Sequence, residues 1–221
     1  MEEFKISNLY DLNETIAAEL LQTAEYPWEL LPKISAFILE LGAKLPKDTY
    51  TEIKEHVWVA DSATIAPTAC INGPAIIDED AEVRHCAFIR GKAIVGNNAV
   101  VGNSTELKNV ILFDNVQVPH YNYVGDSILG YKSHMGAGSI TSNVKSDKKL
   151  VVIKNKEEKI ETGLKKIGAM LGDEVEIGCG SVLNPGTIIG SHTNIYPLSS
   201  VRGVIKANSI YKNQNEIVDK K

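Results

Sequence analysis

Every sixth residue through the middle of this chain is apolar: Val59, Ile65, Ile71, Ile77, Val83, Ile89, Val95, Val101, Leu107 and Phe113. Four residues after each of the first seven stands an alanine, from Ala63 through Ala69, Ala75, Ala81, Ala87 and Ala93 to Ala99. A second run repeats the form at Leu171, Ile177, Leu183, Ile189, Ile195 and Val201, with Ser181, Thr187, Thr193 and Ser199 at the small positions. A period of six fits neither an amphipathic helix nor a lone alternating strand. It fits a solenoid that lays down one short flat side per hexad and turns a corner between sides. The aliphatic residue fills the interior and the small residue lets the backbone bend beside it. The expected fold is all-β, a parallel β-helix of hexapeptide type.

The chain's 221 residues suffice for one solenoid and a small additional element. A net charge of −5 gives no electrostatic reason to expect nucleic acid or an anionic membrane as a partner. Met1–Lys5 is charged and lacks an apolar signal core, and every apolar run is too short to cross a bilayer. Cys70, Cys86 and Cys179 are an odd number without metal-type spacing, as expected of a reduced, cytoplasmic protein without a bound metal.

Three regions follow. Residues 1–52 read as a helical region. Asn13 is expected to cap a first helix carrying Ile16, Leu20 and Leu21. A second helix is expected from Pro27-Trp28, with Leu30, Leu31, Ile34, Ile38 and Leu41 on one face and Gly42 as its stop. This helical cap is expected on the open end of the solenoid or on a neighbouring subunit. Residues 53–206 form the solenoid, and 207–221 a polar tail. The register runs to Pro119, slips through Pro119–Asp126, and disappears in an insertion over 144–166. That insertion holds eight lysines (145, 148, 149, 154, 156, 159, 165 and 166) against four acids, a local reversal that suggests an anionic ligand. Solvated lysines on a hairpin are the plainer reading for most of them.

His120 stands at the register slip, between Pro119 and the Gly125-Asp126 turn. Imidazole is the side chain best suited to take a proton near neutral pH, so His120 reads either as a structural histidine or, from its place at the break, as a base. Arg90 and Lys108 each follow an interior aliphatic residue, where a regular hexad would carry a small one. Both are cations suited to phosphate.

The run His120-Tyr121-Asn122-Tyr123-Val124-Gly125-Asp126-Ser127, followed by Gly136-Ala137-Gly138-Ser139-Ile140-Thr141-Ser142-Asn143, resembles the acetyltransferase half of the bifunctional N-acetylglucosamine-1-phosphate uridylyltransferases. It is similar also to archaeal sugar-1-phosphate nucleotidylyltransferases that carry a hexapeptide-repeat acetyltransferase domain. Arg90, Val101–Lys108 and Gly163–Gly172 extend the likeness, which covers about 57–205 and leaves the helical region outside. The resemblance implies a left-handed parallel β-helix working as a homotrimer. It implies transfer of acetyl from acetyl-CoA to the amine of a hexosamine 1-phosphate, glucosamine 1-phosphate or galactosamine 1-phosphate. It assigns His120 as general base and Arg90 and Lys108 to the sugar phosphate. Tyr123 and Asn143 go to the sugar, and Lys149 is a further substrate-side lysine. Ala137 and Cys179 would line the coenzyme groove, and Arg202 would meet a coenzyme phosphate. Asp126 would orient its neighbours at the turn. Backbone N–H groups around Gly136-Ala137-Gly138 would serve a tetrahedral oxyanion.

Three features depart from the family. No nucleotidyltransferase domain is present, so no nucleotide-sugar synthesis is expected of this chain. His134 stands where the bacterial enzymes carry asparagine, and their arginine-bearing tail is missing. Three alternatives follow: another or a nucleotide-linked amino sugar as acceptor, a non-catalytic trimeric sugar-phosphate sensor or scaffold, and a zinc enzyme resembling γ-class carbonic anhydrases. The last needs two histidines five apart, and His56, His85, His120, His134 and His192 contain no such pair.

Overall fold

Three hexads per turn require residues eighteen apart to lie side by side. The computed structural model, which describes residues 1–155 and 158–220, pairs them so. Thr64 lies beside Glu82, Cys70 beside Phe88 and Ala75 beside Ala93, all in parallel register. The chain is a parallel β-helix with three faces. Face I contains Val57–Ala60, Ala75–Ile77, Ala93–Val95, Ala169–Leu171 and Thr187–Ile189. Face II contains Thr64–Ile65, Glu82–Val83, Val100–Asn103, Gln117–His120 and His134–Met135. Face III contains Cys70–Ile71, Phe88–Ile89, Ile140–Thr141 and Val182–Leu183.

Two longer strands, Glu106–Leu112 and Tyr123–Leu129, run from face III straight onto face I. They can do so because the chain drops one residue at that edge. Leu107 pairs with Ile89, but Val110 already pairs with Ala93. The slip expected over Pro119–Asp126 therefore begins one turn earlier, at Lys108-Asn109, and recurs at Gly125-Asp126, where Lys108 pairs with Gly125 and Val110 with Ser127. Leu112, opposite Val95, takes the interior place assigned above to Phe113. Phe113 instead stacks on Tyr10 of the N-terminal region, ring centres 5.0 Å apart.

That region does not cap an end. The helix Ile34–Gly42 packs on the face I strands, and the 3₁₀ turn Pro27–Leu30 on Tyr123–Leu129. The reason is the outward row of face I. Trp58, Ile76, Ile94, Ile111, Ile128, Met170 and Ile188 point away from the interior by strand alternation, yet all are buried. Covering such side chains contributes roughly 1.5–3 kcal/mol each. The two ends are closed instead by antiparallel hairpins, Tyr50–Lys54 on Val57–Ala60 and Glu216–Asp219 on Ser209–Asn213.

The helical expectations need correction in detail. Asn13 bonds to the Asp11 carboxylate rather than capping a helix, and the helix that follows it spans only Ala18–Leu21. The second segment is two pieces, because Pro32 has no N–H to donate and obstructs a continuous helix. The second piece ends at Gly42 as expected, and a Cβ there would come within 2.3 Å of the Trp58 indole, so close packing also demands glycine. Aspartates on the edge between faces I and II hold the region in place. The Asp173 carboxylate accepts from the N–H groups of Asp11 (2.7 Å) and Tyr131 (2.8 Å). Asp114 donates its N–H to the Glu14 carbonyl, and Asp78 accepts from the Tyr50 hydroxyl.

The insertion is a hairpin, Val152–Asn155 paired with Glu158–Glu161. Val151 and Ile153 are buried, and the strand lies beside the face I strand Val204–Ile205. Lys156 is outside the described residues.

Candidate functional site

The predicted site residues occupy the two edges of face III. The edge between faces III and I carries Arg90, Lys108, Asp126 and Asn143 on successive turns, with Arg202 two turns beyond Asn143. The edge between faces II and III carries His120, Ala137 and Cys179.

At the first edge the shortened turn forces Asp126 into a left-handed backbone conformation, φ 50°, with its side chain nearly fully buried. A buried carboxylate is costly unless every lone pair is engaged. Lys108 Nζ donates to both oxygens at 2.8 and 2.9 Å, Asn109 Nδ2 to Oδ1 at 2.9 Å, and Asn143 Nδ2 to Oδ2 at 2.6 Å. Asn143 also reaches the Tyr123 hydroxyl at 3.2 Å. Gly125 leaves room for this meeting, since a Cβ there would lie 2.5 Å from that hydroxyl. Burial, and then the Asp126 charge, push the Tyr123 hydroxyl above its ordinary pKa, so it stays a neutral donor. Arg90 lies over face III and donates to Glu106 Oε1 at 2.8 Å, a bond that raises its pKa further and keeps it cationic.

At the other edge the His120 side chain is exposed, and its ring makes no hydrogen bond among the described residues. Its backbone is fixed by the nearly fully buried Asn122. Asn122 Oδ1 accepts from His120 N at 3.0 Å, and Asn122 Nδ2 donates to the carbonyls of Gly136 (2.9 Å) and Ser139 (3.1 Å). Sequence reading passes over Asn122, although an amide between two tyrosines in a turn is an available signal. Ala137 and Cys179 follow His120 along this edge: Gly138 N–H donates to the His120 carbonyl, Gly180 N–H to that of Ala137, and Leu198 N–H to that of Cys179. Both are exposed small residues, the pair expected to line the coenzyme groove. The N–H groups of Gly136 and Gly138 are spent on backbone carbonyls, so Ala137 N–H is the one of the three without an acceptor among the described residues.

Tyr123 bridges the two edges. His120 ends one strand, Tyr121 turns the corner with φ 53°, and Tyr123 opens the face III strand that leads to Gly125 and Asp126. Two assignments fall outside this arrangement. Lys149 stands exposed on the loop into the hairpin, its N–H bonded to the Asp147 carboxylate. Arg202 lines a cavity of about 490 Å³ beneath the hairpin with Lys145, Lys154 and Asn184, across face III from the Ala137–Cys179 groove. His134 is on face II, 2.9 Å from the Glu176 carboxylate. Among the described residues no three His, Cys, Asp or Glu side chains are placed to hold a metal ion. Among the described residues no helix is long and apolar enough to cross a membrane.

Residues 71–195, more than half of the chain, match the family model of the GMPPB C-terminal domain. The chain belongs to this family. Among relatives of this GMPPB C-terminal-type chain is a bifunctional GlmU protein of Methanococcus maripaludis, 35% identical over 89% of this chain and 48% of its own length. Such coverage takes in much of the helical region, which was expected to lie outside any likeness. A bifunctional sugar-1-phosphate nucleotidylyltransferase/acetyltransferase of Sulfurisphaera tokodaii is 32% identical over 48% of this chain and 27% of its own. The chain therefore spans half or less of the length of these relatives. A solved hexapeptide transferase family protein from Anaplasma phagocytophilum aligns with 75% of this chain and 80% of its own, at 15% identity and a TM-score of 0.42.

Proposed function

We propose that this chain transfers acetyl from acetyl-CoA to the amine of a hexosamine 1-phosphate, glucosamine 1-phosphate or galactosamine 1-phosphate. The observation that carries the reading is an exposed imidazole at one edge of face III, with a cationic and amide cluster organised around buried Asp126 at the other. The acetyltransferase named among the relatives supports the reaction class.

The acceptor lies across face III, its phosphate toward Arg90 and Lys108 and its sugar hydroxyls against Tyr123 and Asn143. Its amine faces His120. A protonated amine has no lone pair to attack a thioester. The His120 imidazole takes the proton as nitrogen bonds to the acyl carbon. Ala137 N–H is available to the oxyanion of the tetrahedral intermediate. Collapse breaks the C–S bond, and the imidazolium returns its proton to the leaving thiolate. Amine and thioester need little further activation once held together, so positioning supplies most of the rate.

The coenzyme's place is the Ala137–Cys179 groove, and a second copy of the chain is its natural outer wall. Leu198 (85% exposed), Tyr121 (66%) and Tyr196 (46%) are unusually bare apolar side chains around it. We place the active form as a homotrimer with such grooves between copies. All three cysteines are free, in keeping with a cytoplasmic site of action.

The test is acetyl-CoA-dependent thiol release by the purified chain with each hexosamine 1-phosphate. Turnover that tracks acetylated product supports the reading. No release with any amino sugar, free, phosphorylated or nucleotide-linked, would replace it with a binding role.

A further inference from the structure

Around the edge from face III, where the solenoid meets the N-terminal region and the base of the hairpin, is a cavity of about 320 Å³. Three separate parts of the chain build it. Lys92, Lys108, Asn109 and Asp126 come from three turns of the solenoid, Lys165 and Lys166 from the hairpin's return, and Leu31, Pro32 and Ser35 from the N-terminal region. Four lysines thus line a cavity with one carboxylate, and that carboxylate is already taken by Lys108, Asn109 and Asn143. Lys92, Lys165 and Lys166 have no carboxylate partner within salt-bridge distance among the described residues. Like charges gathered in one concavity repel one another at a cost, in a protein of net charge −5. An anion removes that cost, and several lysines converging from different elements suit a phosphate group, which has oxygens to spare for each.

We propose that this cavity is a phosphate-binding site, with Lys92, Lys165 and Lys166 as its ligands and the Leu31–Ser35 turn as its wall. The N-terminal region is then part of a binding site as well as a cover for face I. Lys108 belongs to both the cavity and face III, so a phosphate seated here adjoins the acceptor. The proposal depends on the acetyl-transfer reading only for the origin of the phosphate. The two candidate origins are the acceptor and the coenzyme.

The experiment is calorimetric titration of the full-length protein with inorganic phosphate at low salt, which needs no turnover. Lys92→Glu is expected to weaken phosphate binding at least ~10-fold, the scale of one charge-assisted hydrogen bond. Lys92 is exposed, so the variant is expected to fold normally. Ser35→Glu, which places a carboxylate in the cavity from the N-terminal side, is expected to weaken binding comparably. Displacement of phosphate by glucosamine 1-phosphate assigns the site to the acceptor, and displacement by coenzyme A alone assigns it to the donor. Phosphate binding that is undetectable, or indifferent to Lys92→Glu, overturns the site. A loss confined to Lys92→Glu, with Ser35→Glu binding normally, overturns the wall. Failure of the acetyl-transfer assay leaves all these readings intact, so the two ideas fail separately.

Discussion

His120 and Asp126 show how differently two polar residues six apart can be treated. His120 is exposed with a free ring, so His120→Ala is expected to leave the melting temperature almost unchanged. On the proposed mechanism it lowers kcat by at least ~100-fold, the scale of a lost general base; thiol-release kinetics beside a thermal melt checks both. Asp126 is buried and saturated. Asp126→Ala leaves the Asn109 and Asn143 amides and the Lys108 ammonium without their acceptor. It is expected to cost about 1–3 kcal/mol of stability, read by urea unfolding, since Lys108 can still turn toward water. It should also raise KM for the phosphorylated acceptor. The candidate base is legible in the sequence because a histidine interrupts a strict repeat. Asp126 is legible as an orienting residue, but not its burial, which depends on a turn shortened by one residue. Which of the insertion's lysines approach the solenoid is not legible for a related reason: distance along an insertion does not reveal that Lys165 and Lys166 return to line a cavity with Lys108.

At the scale of elements, the hexad repeat dictates the interior so firmly that almost every interior residue is legible from spacing alone. The outward row of face I is legible too. Ile76, Ile94, Ile111 and Ile128 each fall where an exposed face would carry a polar residue, as face II does at Glu82 and Gln117. That signal locates the helices on a flank, whereas the helical pattern alone suggests an end. Gly42→Ala tests the contact: its Cβ would enter the Trp58 ring, and about 1–3 kcal/mol of destabilisation is expected from overpacking. The aspartates on the opposite edge give the same interface a pH dependence. Burial pushes Asp114 and Asp173 up to about 6. A carboxyl group whose folded pKa is raised binds more protons folded than unfolded, so its contribution to stability falls as pH rises from about 4 to 6. Relative to Asp173→Asn, the native protein should gain melting temperature as pH is lowered from 7 to 5. A constant difference would contradict the assignment.

For the whole molecule, two of three faces remain uncovered, and the two barest apolar side chains among the described residues, Leu198 and Tyr121, stand at the edge they share. A homotrimer built on that edge should dissociate when Leu198→Asp introduces charge, as sedimentation would report. Activity should fall with it, because each coenzyme groove would lose its outer wall. Trimeric mass surviving in a variant without turnover would instead assign Leu198 to the coenzyme.

The covered flank also bears on how this molecule can be cut. Repeat arrays normally tolerate trimming because each rung leans only on the next. Here a ribbon of oily side chains runs lengthwise past many rungs and finds its cover in a segment distant in sequence. Excising residues 1–49 would leave the rungs intact and their flank adhesive, so the truncated chain should precipitate or self-associate. Folding units in this protein are therefore set across the stack as well as along it.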